Sequence, residues 1–196
     1  EILGCGGTIL KHVSSGDNVY VCIVTTSYSP KWSKAYREEK LVEARSVDKI
    51  LGIKHRFYCN LNTARLNLVD SSEMNDRIYK VIREVNPGII YTHFKGDIHE
   101  DHRVIFNSVM TCTRPIENHI SVRCFETLSS TEWGSEGFYP NLYINIDGFV
   151  EKKIKAFLEY KSEVKEYPHP RSPEGIRTLS KKRGSDICIK NAESFI

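Results

Sequence analysis

Hydrophobic positions along this chain switch between unbroken runs and helical stripes, and that alternation is the first guide to its fold. Residues 18–26 form a nearly continuous apolar, β-branched run, the pattern of a strand covered on both faces. Residues 34–51 place Ala44, Val47, Ile50 and Leu51 on one helical face, with Gly52 as the C′ residue. Residues 54–59 predict a short strand. Asp70 and Glu73 have capping-box spacing, and Ile78, Val81, Ile82 and Val85 then form a stripe stopped by Asn86-Pro87. A strand over residues 88–93 follows. Helices are expected over 104–112 and 150–164, and strands over 122–128 and 142–146. Gly4-Cys5-Gly6-Gly7-Thr8 reads as a glycine turn, with a short helix over residues 9–14 ending near Gly16. Strands spaced by helices predict a mostly parallel, layered sheet. No repeat, low-complexity tract or linker divides the chain, so one domain over residues 1–196 is expected.

Composition narrows the class. At 196 residues the chain can bury one sizeable core, and 40% hydrophobic with 27% charged residues is ordinary globular usage. The net charge of +3 is small and evenly spread, which argues against nucleic acid or an anionic membrane as partner. Lys181-Lys182-Arg183 reads as a solvated helix end. No stretch approaches the ~18–20 apolar residues of a membrane span, and no signal-peptide pattern is visible. The 6 cysteines (Cys5, Cys22, Cys59, Cys112, Cys124, Cys188) lack C-x-x-C spacing and read as reduced thiols of a cytoplasmic protein.

The candidate chemistry is concentrated in Gly96-Asp97-Ile98-His99-Glu100-Asp101-His102-Arg103, directly after the strand at 88–93. Imidazole and carboxylate are ligands that zinc accepts and groups that general acid–base catalysis uses. Open α/β sheets place their sites in loops at the carboxyl ends of strands. The competing reading is a solvated charged loop with a helix cap. Two other features are weighed beside it. Gly4-Cys5-Gly6-Gly7 lacks the third glycine of a dinucleotide fingerprint, so it is weak as a nucleotide signature and better suited to close backbone approach. Tyr167-Pro168-His169-Pro170-Arg171-Ser172 holds an imidazole and a guanidinium on a proline-stiffened segment, which reads either as a docked surface loop or as a substrate contact.

Taken in order, these residues resemble the LmbE/PIG-L family of zinc-dependent deacetylases acting on N-acetylglucosamine groups. The resemblance runs from Glu1-Ile2-Leu3-Gly4-Cys5-Gly6-Gly7-Thr8 through Leu51-Gly52, residues 87–93 and the Asp97-x-His99-x-Asp101-His102-Arg103 motif. It closes with Pro168-His169-Pro170-Arg171-Ser172, Arg183-Gly184 and Ala192-Glu193-Ser194-Phe195. It implies a Rossmann-like three-layer α/β sandwich and hydrolysis of an N-acetyl amide by water activated on zinc, with another divalent metal such as iron or cobalt as a substitute. It implies His102 as a metal ligand, His99 as the imidazole that steadies the tetrahedral intermediate or protonates the leaving amine, and Asp101 as the carboxylate that orients it. His169, Arg171, Asn62 and Lys40 fall where the family contacts substrate, Lys40 three residues before Glu43 where many members carry arginine.

The family signature His-Pro-Asp-Asp, which carries two further ligands and the general base, is expected immediately before Glu1 together with a first strand. The residues given are therefore expected to lack a full zinc site, to be inactive alone and to leave a gap in the sheet. The expected partner is a small amino-sugar substrate (a sugar conjugate, nucleotide sugar or glycolipid), with homo-oligomers possible. A catalytically inactive relative that binds glycan or protein is the alternative, and a nucleotide-binding protein using Gly4 to Gly7 a weaker third.

Overall fold

Residues 1–115 and 119–196 are described by the computed structural model. The elements run α1 (Ile2–Ser14), β1 (Tyr20–Thr26), α2 (Lys34–Leu51), β2 (His55–Asn62), α3 (Ser71–Val85), β3 (Ile89–His93), α4 (Glu100–Cys112), β4 (Ser121–Phe125), β5 (Leu142–Asn145), α5 (Val150–Leu158), α6 (Pro173–Ser185) and β6 (Ala192–Phe195). This is the layered α/β class that the periodicity predicts.

Helices with strong local signals form where they are read. Ser33 Oγ accepts the Tyr36 amide at 3.1 Å to open α2, and Gly52, at φ 78°, closes it in the left-handed region. Asp70 accepts the amides of Ser72 and Glu73 at the start of α3, and Asn86 at φ 48° ends it.

The glycine segment differs from expectation. Residues 4–8 are helical within α1, which kinks at Cys5 (φ −141°) rather than turning. The reason is packing. A Cβ on Gly4 would sit 2.2 Å from the Phe125 ring, and one on Gly7 would sit 2.8 Å from Ile146. Glycine lets α1 lie directly on the sheet, at a helix-propensity cost of about 1 kcal/mol each. Helix α5 stops at Leu158, short of the expected end at 164. Beyond it Tyr160 N bonds back to Phe157 O, while Lys161 N is drawn off to the Glu43 carboxylate of α2.

Strand β1 pairs in parallel with β2, and β3 with β4. Strand β6 inserts between β4 and β5 and runs antiparallel to both, so the second sheet, ordered β3-β4-β6-β5, is mixed. Helices α1, α2, α5 and α6 cover one face through Leu10, Val47, Leu51, Phe157 and Ile176. Helices α3 and α4 cover the other through Met74, Ile78 and Val109. A cleft of about 720 Å³ runs along β1 and β3, and Glu1, His93, His99 and His102 all line it.

One buried polar cluster pins the first layer. Glu193 of β6 accepts the amides of Gly7 and Thr8 at 2.8 and 2.7 Å, and its partner Lys153 of α5 lies 2.6 Å away. Lys153 also donates to the Leu3 carbonyl at 2.9 Å. The kink at Cys5 frees those two amides, and a carboxylate is the natural acceptor at such a helix start.

Candidate active site

The site grows from the carboxyl end of β3. His93 is its last residue, the loop 94–99 follows, and His99 occupies the N-cap position of α4. That placement puts His99, Asp101 and His102 within one turn of the helix start. Arg103 secures the loop by donating to the carbonyls of Asp97 and Ile98 at 2.8 and 2.7 Å.

Asp97, 1% exposed, is the anchor. It accepts the His99 amide at 2.8 Å, the Thr131 hydroxyl at 3.0 Å and the Ser130 hydroxyl. His102 Nδ1 lies 3.1 Å from Asp97 Oδ1. Burial alone would raise the Asp97 carboxyl. The donors from His102, Ser130 and the His99 amide outweigh it and hold the group well below the usual carboxylate range.

Three imidazoles stack against each other. The His93 and His102 rings lie 3.9 Å apart at 19°, and His99 and His102 lie 4.6 Å apart at 21°. Burial, then the neighbouring charge of His102, holds His93 well below the usual imidazole range. His99 is lowered for the same two reasons, while the charges of Asp101 and Asp97 pull the other way. Nδ1 of both His93 and His102 is buried without a hydrogen-bond partner. The His102 nitrogen faces the Asp97 carboxylate, which leaves the buried His93 Nδ1 as the one of the two with no polar neighbour given to it.

The remaining expected residues are placed as follows. Asp101 gives its two oxygens to the backbone amides of Ala64 (2.6 Å) and Leu66 (3.2 Å), so it is bonded to the loop after β2 and not to the His99 ring. Its influence on His99 is through charge. Arg171 is docked, Nε on Ser129 Oγ and Nη1 on Glu163 Oε2, both at 2.5 Å, yet its charge is felt by His99. His169 Nδ1 accepts the Arg171 amide at 3.0 Å, and its ring stands edge-on to Trp133 at 6.2 Å. Asn62 ends β2 and is exposed.

The Lys40 ammonium donates to Glu43 at 2.5 Å and to Ser162 at 2.6 Å, which ties α2 to the segment after α5. His93, Ser130 and Thr131 are not legible as site residues in the sequence. His93 is hidden as the end of a strand, and the two hydroxyls reach Asp97 across 33 and 34 positions of sequence.

The donor chemistry suits a borderline metal in part. His102, backed by a carboxylate, is the usual form of an imidazole ligand. Among the described residues, however, no group of three or more histidines, cysteines or carboxylates is arranged to hold a metal ion. The donors described are thus one supported ligand and not a complete set.

Solved structures share this fold, three of them as follows. A conserved protein from Thermus thermophilus is 20% identical, with a TM-score of 0.79, the match covering 100% of this chain and 88% of that one. An N,N′-diacetylchitobiose deacetylase from Pyrococcus horikoshii is 21% identical, at TM-score 0.77, over 100% and 78%. A deacetylase of the teicoplanin biosynthesis pathway is 16% identical, at TM-score 0.78, over 99% and 91%. Residues 1–113, which contain the strand β3, the Asp97 loop and all of α4, match the model of GlcNAc-PI de-N-acetylase. More than half of the chain, with the imidazole cluster inside the matched part, thus places this protein in the PIG-L family.

Proposed function

We propose that this protein is a metal-dependent hydrolase that removes the N-acetyl group from an N-acetylglucosamine-containing substrate. The observation that carries the reading is the Asp97-supported His102 stacked between His93 and His99 at the carboxyl end of β3, inside the region matched to a de-N-acetylase family. Structural relatives named as deacetylases of chitobiose and of teicoplanin biosynthesis support the same reaction class.

In this reading His102 is the metal ligand, zinc being the expected ion. Asp97 fixes its ring and keeps a negative charge beside it. His99, lowered by burial, stands at the cleft wall, where its N–H can meet the oxyanion of an attacked amide or, after taking up the proton lost by the attacking water, pass that proton to the departing amine. The Asp101 charge favours the protonated ring at that moment. Arg171, whose charge reaches His99, His169 beside it and Asn62 are the residues proposed to contact the sugar. The substrate is a small amino sugar or its conjugate. Among the described residues no helix is long and apolar enough to cross a membrane. Six free cysteines fit a reducing compartment, and the proposal places the protein in the cytoplasm.

The test uses the protein at its natural length. Metal analysis should find about one divalent ion per chain, and acetate should be released from at least one of a panel of N-acetylated sugars. His102→Ala should abolish metal retention. His99→Ala should keep the metal while lowering turnover by about 10²–10⁴-fold. A protein that never takes up a divalent metal sinks the reading, and an unchanged rate in His99→Ala removes that residue from it.

A further inference from the structure

Strands β1 and β2 fall out of step in one place. Cys22 pairs with Phe57 and Ile23 with Tyr58, but Thr25 pairs with Leu61, so β2 carries one extra residue. Asn60, at φ 55°, takes up the irregularity. Cys59, directly before Asn60, lies on the α3–α4 side of the sheet. There it packs with Val24, Leu61 and Ile78, and Cys22 packs against the same cluster from β1. The two sulfurs end 3.6 Å apart. Among the other cysteines, Cys5 gives its thiol to the Glu1 carbonyl and Cys112 to the Asn75 carbonyl, neither of them to a sulfur.

A separation of 3.6 Å is van der Waals contact between sulfurs, and a disulfide closes it to roughly 2.05 Å. Arg77 reaches across from α3 to the Cys59 carbonyl, so a guanidinium stands beside this thiol. The Cys22 S–H and that charge both favour the Cys59 thiolate, which is lowered, whereas Cys22 is raised by the same contact and by burial. Cys22 also lines the cleft, which gives a small oxidant a route to the pair.

We propose that Cys22 and Cys59 form an oxidation site that hydrogen peroxide or an organic hydroperoxide converts into an intramolecular disulfide. The Cys59 thiolate attacks one peroxide oxygen. The O–O bond breaks, a sulfenic acid forms on Cys59, and the departing hydroxide (or alkoxide) takes up the proton lost by the thiol. The Cys22 sulfur then attacks the Cys59 sulfur, the S–O bond breaks, and a water leaves carrying the Cys22 proton. Two thiols are oxidised and one peroxide is reduced.

The test needs no deacetylase activity. The intact chain is treated with stoichiometric hydrogen peroxide, the remaining thiols are alkylated, and the peptides are mapped by mass spectrometry. A linked peptide pair containing Cys22 and Cys59, lighter by two hydrogens and restored by a thiol reductant, should be the main oxidised product. In Cys22→Ser the sulfenic acid on Cys59 has no resolving partner and should be captured by dimedone several-fold more than in the parent. Linkage of other cysteines, over-oxidation of Cys22 and Cys59 separately in the parent, or no gain of dimedone label in Cys22→Ser would each overturn the proposal.

Discussion

Two buried carboxylates, Glu193 and Asp97, show how alike a structural and a functional polar cluster look until their donors are followed outward. Glu193 accepts two helix amides and the Lys153 ammonium, and Lys153 in turn donates to a main-chain carbonyl. Every path from Glu193 ends inside the protein. Asp97 is equally well supplied, by one amide and two hydroxyls, but its remaining neighbour is His102, whose ring stacks on two more imidazoles at the wall of an open cleft. Paths from Asp97 end at groups that still need a partner. The difference separates a cluster that holds α1 on the sheet from one whose imidazoles line an open cleft.

The sharpest way to break the comparison is to remove Lys153. Lys153→Met keeps most of the volume and leaves a buried carboxylate without its cation, which costs about 3–5 kcal/mol of stability. The urea midpoint should fall accordingly, while metal content per folded chain stays that of the parent. His102→Ala should do the reverse, abolishing the proposed metal retention with little loss of stability. A Lys153→Met protein that is as stable as the parent would mean that the two clusters are not distinguished by closure.

Much of this contrast is legible in the sequence, and the reasons are local. Helix α2 is marked by Ser33 and Gly52 and α3 by Asp70 and Asn86, so short-range hydrogen bonds fix them. The imidazole loop is visible because Asp97, His99, Asp101 and His102 lie within one short segment. What escapes the sequence depends on distance along it. Nothing near Gly4 says that Phe125 and Ile146 will press against its helix, so the glycines read as a turn. Strand β6 is only four residues long, with Glu193 in its middle and no alternation to betray it, and α6 has too few apolar positions to show a stripe. Asp101 reads by motif as the partner of His99, and only the fold brings the amides of Ala64 and Leu66 to it.

A smaller substitution sharpens the Asp97 side. Asp97→Asn preserves shape but loses the charge facing His102 and one acceptor for the Ser130, Thr131 and His99 donors. Loss of such a supporting carboxylate lowers metal affinity by about 10–100-fold. Competition with a chromogenic chelator reads that number directly. The Lys153 variant serves as the control that should show no change, and an Asp97→Asn protein with parental affinity would leave Asp97 a structural residue like Glu193.

The mildest expected effect is on pH. His93 is held well below its ordinary value of 6.5 in the folded protein, by burial first and the charge of His102 second, and His99 is shifted in the same direction. Below that ordinary value the unfolded chain binds protons that the folded chain refuses, so stability is fully present above it and declines as the pH falls. One group can contribute at most about 1.4 kcal/mol per pH unit. In chelator-treated protein, the unfolding free energy should therefore drop by about 1–2 kcal/mol between about pH 7.5 and about pH 5.5. His93→Phe, which keeps a flat ring against Phe125 and His102, should remove the share that belongs to His93. If the slope survives that substitution undiminished, the proton is going elsewhere, and the stacked imidazoles are not the unsatisfied cluster that sets this region apart from the Glu193–Lys153 pair.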